Sequence, residues 1–204
     1  MTAIAGSRSA GAHGDMVKRM NDLISGAILG AVIGNALGLA CNGMSKGHVA
    51  ASFRGDGSYP DPGVALKNRM EQWKKPGLYG STAQMMMIAG ISAGKGRNWF
   101  ADFSAHAATG AVQGEGEWGV FRHPWPAERI FLRSLRNAAA GDVDPGPGPI
   151  ADASPGLVLL PLALSPAFSA ERLMLESVNA QRAFTSDISC IAAGAVLLAC
   201  VRRM

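Results

Sequence analysis

A chain of 204 residues with 48% apolar content has the length of one ordinary domain and enough apolar side chain to bury a sizeable core. Aromatic residues are only 6% while Ala and Gly are abundant, which favours closely packed helices over a β-sandwich. The net charge of +4 is scattered over separated sites (Lys18 and Arg19, Lys74 and Lys75, Lys95 and Arg97, Arg202 and Arg203), so no nucleic-acid interface is expected.

In chain order, residues 1–15 are rich in Ala, Ser and Gly and lack the apolar core of a secretory signal. They read as a disordered tail ahead of a single domain over 16–204. Arg8, with no acid before Asp15, leaves an organelle-targeting segment as the alternative. A helix is expected from near Asp15 or Asn21, with Asn21-Asp22 as a cap, to about Leu39. It carries Gly26, Gly30, Gly34 and Gly38 in one stripe. Each Gly costs a helix about 0.8–1 kcal/mol relative to Ala, so close approach of a backbone or a ligand is expected along the stripe. Asn35 is the polar residue in this run. The run has about the ~20 residues a bilayer span needs. It is diluted by Gly and Ala, and the only comparable later segment, Asp187 to Val201, is shorter. A buried central helix is therefore expected, and a membrane association is not.

Beyond a loop at Cys41-Asn42-Gly43, a short helix is expected over Lys46 to Phe53. Turn residues fill Arg54 to Gly63, and Val64 to Lys74 is helical or irregular. Pro76-Gly77 turns the chain into a helix over Ser81 to Ala93, with Ser81 or Thr82 as its cap, whose Met85, Met86 and Met87 read as core filling. Helices follow over Trp99 to Thr109 and Ala127 to Ala140, separated by a Gly- and aromatic-rich loop over Gly114 to Pro126. Gly141 to Pro155 is a Pro/Gly/Asp loop, and Leu157 to Leu164 is a short apolar segment. Ser169 opens a helix to about Phe184, and Asp187 caps the last one.

Chemistry-bearing residues form no self-evident catalytic set. His13, His48, His106 and His123 lack metal-ligand spacing, and there is no nucleophile elbow or P-loop. Asp56, Asp61 and the group Asp142, Asp144 and Asp152 sit in loops, where solvated acids are the simpler account than a Mg²⁺ or Ca²⁺ site. Cys41, Cys190 and Cys200 form no CxxC pair and read as buried thiols of a reducing, cytoplasmic setting.

Four segments nevertheless resemble the ADP-ribosylglycohydrolase superfamily, the family of dinitrogenase reductase-activating glycohydrolase, over roughly Asn21 to Val201. The family's G-x-x-x-G-x-x-x-G-D-A-x-G-x-P-x-E compares with the stretch from Gly26 through Gly30, Gly34 and Asn35 to Gly38, Asn42 and Gly43. Its P-G-x-W-T-D-D-T-x-M compares with Pro76-Gly77-Leu78-Tyr79-Gly80-Ser81-Thr82-Ala83-Gln84-Met85. Its S-N-G-x-x-M-R-x-x-P-L-x-L is similar to Asp152 to Leu164, and its T-H-x-x-P to Thr185-Ser186-Asp187. The resemblance implies an all-α, compact orthogonal helical bundle. It also implies a family activity of Mg²⁺-dependent hydrolysis of ADP-ribose adducts, with ADP-ribose or an ADP-ribosylated protein as partner. By this resemblance Gly80, Ser81, Thr82 and Ser154 are the substrate-binding candidates.

The departures are in the acids. Where the family's paired aspartates help hold two Mg²⁺ ions, this chain has Ser81 and Thr82, and the family's other two acids are Asn35 and Asn42. The chain ends at Met204 before any D-x-D-T segment and reads as lacking the family's C-terminal part. A hydroxyl or amide does not replace a carboxylate as a hard-cation ligand without loss of charge. No metal and no cofactor are therefore expected, and the chain reads as a catalytically silent relative. The alternatives are an active hydrolase with a rearranged site built on Asp56 or Asp61, a non-enzymatic helical scaffold or membrane-associated protein, and a truncated product.

Overall fold

The computed structural model describes residues 7–42, 44–52, 77–113, 121 and 124–204, and these are all-α, with no strand among them. The helices are α1 (Ser7–Cys41), α2 (Lys46–Ser52), α3 (Ser81–Ala93), α4 (Trp99–Gln113), α5 (Pro126–Ala140), α6 (Ser154–Val158), α7 (Leu160–Leu164), α8 (Ala170–Gln181) and α9 (Ile188–Arg203), with a 3-10 turn at Gly96–Asn98. The expectations over Arg54 to Gly63 and Val64 to Lys74, and most of the Gly114 to Pro126 loop, lie outside the described residues. So do Asp56, Asp61, His123 and the side chain of His13.

Local chemistry sets most boundaries. Pro126 opens α5, where its missing N–H is no loss, and Gly141 closes it at φ 79°, a left-handed cap that favours glycine. Ser169 accepts a hydrogen bond from the Arg172 N–H at the start of α8, and Asp187 accepts one from the Cys190 N–H at the start of α9. The apolar segment from Leu157 to Leu164 is two short helices, α6 and α7, which begin earlier than expected because Ser154-Pro155 already supplies a helix start. Arg202 donates to the carbonyls of Ala163, Ser165 and Phe168 and so satisfies the open end of α7. Arg136 likewise donates twice to the Ala111 carbonyl near the end of α4.

α3 packs on α4, α6 and α7, and is buried on nearly every face, with Met85 and Met86 inside as expected. The core beside it is an aromatic cluster. Phe131 stacks on Phe184 at 4.1 Å between ring centroids and on Phe103 at 5.7 Å, and Trp99 and Phe168 meet edge to face. Six per cent aromatic content suffices because these rings are gathered in one place.

α1 departs from expectation twice. It begins at Ser7, inside the segment read as a tail, because Ala10 and Ala12 favour helix and no proline interrupts the run. Nor is it a buried central helix. Over Asp22–Cys41, a 20-residue stretch of mean hydropathy 1.9, only 17% is buried. The stretch is long and apolar enough to cross a membrane by length and composition alone. It lies against α3, with the Ile28 side chain beside Gly90, and buries Ala36, Leu39 and Ala40 at its end, while Leu23 remains 75% exposed. Hydropathy registered the apolar character of α1 without specifying what covers it. Cys200 is also exposed, contrary to the expectation of a buried thiol.

The glycines divide accordingly. A Cβ added at Gly26, Gly30, Gly34 or Gly38 meets nothing within 4 Å, so the stripe makes no close approach among the described residues. At Gly156 an added Cβ would lie 2.9 Å from Gly194 Cα, where α6 crosses α9. In urea denaturation, Gly26→Ala and Gly30→Ala are each expected to stabilise by about 0.8–1 kcal/mol. Gly156→Ala is expected to destabilise by about 1–3 kcal/mol, since backbone must move to admit the methyl group. Destabilisation by the α1 substitutions would mean that the stripe is covered.

Candidate functional site

Four separate stretches of chain form one cleft of about 380 Å³. The end of α1 gives Asn35, Gly38, Leu39 and Asn42; the start of α3 gives Gly80, Ser81 and Thr82. Trp125 and the turn Asp152-Ala153-Ser154, with Leu157, close the other side. All six residues singled out from the sequence, Asn35, Asn42, Gly80, Ser81, Thr82 and Ser154, are in this wall. A second, largely apolar cavity of about 330 Å³ adjoins it through Asn35, Thr82 and Leu157.

Hydrogen bonds fix the wall. Gly80 precedes α3 in extended backbone and donates its N–H to Asn35 Oδ1 at 2.7 Å, which ties α1 to the start of α3. The first two side chains of α3 turn onto an acid from another helix. Ser81 Oγ donates to Glu128 Oε2, and Thr82 Oγ1 donates to Glu128 Oε1 at 2.5 Å. Glu128 also reaches back one turn to accept the Trp125 N–H at 3.1 Å, one half of a capping box. Asp152 accepts the Ala127 N–H on Oδ2 at 2.8 Å and the Ser154 N–H on Oδ1 at 2.9 Å.

Glu128 is fully buried. Burial pushes its carboxyl above the usual glutamate range, and nearby Asp152 adds to the rise, while the bonds from Ser81, Thr82 and Trp125 oppose it. Its burial also explains why it went unnoticed in the sequence. A Glu in the first turn of a helix reads as a cap, and nothing local reports the hydroxyls that reach it from α3. Asp152 was grouped with Asp142 and Asp144, but no group of three His, Cys, Asp or Glu side chains is gathered for a metal ion among the described residues.

Among the described residues the donor set does not fit a dinuclear Mg²⁺ centre. The hydroxyls of Ser81 and Thr82 are engaged with Glu128, the Asn35 carbonyl oxygen with Gly80, and both Asp152 oxygens with backbone N–H groups. A hard cation requires several oxygens free to turn toward it. One wall group stands differently: Ser154 is 6% exposed and its Oγ has no hydrogen-bond partner among the described residues.

Against protein-family models, curated proteins and solved structures the chain gives no match.

Proposed function

We propose that the chain is an ADP-ribosylglycohydrolase-like module that binds an ADP-ribose-type ligand through neutral hydrogen bonds and does not carry out Mg²⁺-dependent hydrolysis. The observation that carries this reading is convergence. The end of α1, the start of α3 and the turn at Ser154, which hold the family-like motifs, line a single cleft although they are far apart in sequence. The silence follows from the engagement of the oxygens at Asn35, Ser81 and Thr82, described above. A metal that polarises the ribosyl centre and activates water would find no carboxylate at these three positions.

Calorimetric titration with ADP-ribose tests the reading. Binding of equal strength in Mg²⁺ and in EDTA, with no release of ribosyl product, is the expected result. Binding strengthened by Mg²⁺ together with turnover would return the chain to the active hydrolases. No binding by a protein with a cooperative melting transition would remove the ADP-ribose assignment altogether.

The exposure of α1 favours a second reading, a non-enzymatic helix-packing or membrane-associated protein. Recovery of the protein without detergent, monodisperse in solution, counts against it.

A further inference from the structure

Beside the cleft, α1 stands off from the bundle and leaves the second cavity, of about 330 Å³. Ala31 and Gly34 of α1, Ala83 and Met86 of α3, Leu157 of α6 and Leu160 of α7 line it. Its polar residues, Asn35 and Thr82, also line the larger cleft, so they stand where the two spaces join. Their oxygens are committed elsewhere: Asn35 Oδ1 accepts the Gly80 N–H, and Thr82 Oγ1 donates to Glu128. Among the described residues the cavity therefore presents chiefly hydrocarbon. Gly34 costs α1 about 0.8–1 kcal/mol relative to Ala. No packing against the bundle requires it, since an added Cβ meets nothing within 4 Å. At this position the bare backbone keeps the cavity open.

We propose that this cavity is a binding pocket for an uncharged aromatic or hydrocarbon group of a small ligand. Size selects that occupant. Apolar cavities of about 150 Å³ already take up benzene, and small-molecule pockets begin at about 300 Å³. A partner helix, about 10–12 Å across with its side chains, needs a groove along its length. The cavity meets α1 only at Ala31, Gly34 and Asn35, about one turn of helix. Met86 suits such a pocket, because an unbranched thioether side chain adapts its shape to what enters. Its opening into the cleft gives the remainder of a ligand somewhere to continue. The proposal takes the neighbouring cleft as a ligand site from the reading above and does not depend on ADP-ribose as that ligand.

The test uses the full chain, carbon-13 labelled at the methionine methyl groups, with benzene as the probe and NMR as the readout. Benzene is expected to shift the Met86 signal saturably and to leave Met85, fully buried and outside the lining, in place. D-ribose, uncharged but rich in hydroxyls, is expected to move neither signal. Gly34→Leu and, independently, Ala31→Leu place side chain in the cavity from α1. Each is expected to weaken benzene binding at least about tenfold, close to the loss of two buried CH₂ groups. Gly26→Leu, on the same stripe but outside the lining, is expected to leave binding unchanged. The proposal is overturned if Met86 shows no saturable shift in the unaltered protein, or moves no more than Met85, or responds to D-ribose as it does to benzene. Folded Gly34→Leu and Ala31→Leu proteins that bind benzene as the unaltered chain does overturn it as well. The Met86 comparison needs no variant, so a variant that fails to fold does not rescue the idea. Benzene bound by a protein that ignores ADP-ribose would remove the ADP-ribose reading and leave the pocket standing. ADP-ribose bound by a protein whose Met86 ignores benzene would do the reverse.

Discussion

Thr82→Asp is expected to destabilise the protein by at least about 3 kcal/mol near neutral pH, because it sets a second carboxylate against a buried one. Thr82 is itself buried and its hydroxyl lies 2.5 Å from Glu128 Oε1, so neither acid has room to withdraw into water. The substitution is informative because it places an acid at a position where the resembled family has one. Two carboxylates at such a distance can share one proton. The loss should therefore shrink as pH falls, and the double variant Thr82→Asp/Glu128→Gln should recover most of the stability. Urea denaturation of the two single variants and the double variant gives the coupling directly. A Thr82→Asp protein as stable as the unaltered chain would show that Glu128 is not engaged by α3.

Glu128→Ala should be the most damaging truncation of the site. It leaves the hydroxyls of the buried Ser81 and Thr82 without their acceptor. At about 1–3 kcal/mol for each stranded group, with partial relief from relaxation, a total of about 3–5 kcal/mol is expected. Glu128→Gln keeps an acceptor oxygen and should cost less. The pH dependence follows from the direction of the shift. Glu128 is raised in the folded state, so the fold binds its proton more tightly than the unfolded chain does. Its contribution is fully present below the ordinary glutamate range and is lost as pH rises through the raised value. The unaltered protein should lose stability across that interval while Glu128→Gln does not, as measured by denaturation midpoints at several pH values. Parallel pH profiles would assign the slope to some other group.

The sequence was most legible where local chemistry decides. The span Ser81 to Ala93, the Ser169 cap and the Asp187 cap of the last helix lie as expected, because a cap or a Gly/Pro boundary acts on the few residues beside it, whereas Ser81 and Thr82 do not cap α3: Gly80 precedes it and their hydroxyls go to Glu128. The six candidate residues were brought to one cleft by motif order, not by any physical rule read along the chain. What stayed hidden was pairwise. Nothing near Glu128 in sequence announces Ser81 and Thr82, and nothing in the glycine stripe of α1 states whether a partner lies over it. Apolar periodicity reports the tendency of a face to leave water, while its partner is fixed by the rest of the chain.

The partial docking of α1 has a consequence for the breathing of the molecule. One continuous helix passes from an end held by the Asn35–Gly80 bond and by Ala40, 1% exposed, to turns around Leu23 that touch little else. Amide protons in its final turns should exchange with deuterium only when the bundle opens. Those around Leu23 should exchange through local fraying, with protection set by helix propensity. The same helix would then report two opening free energies, and the boundary between them would fall near Ile28, whose side chain lies beside Gly90 of α3.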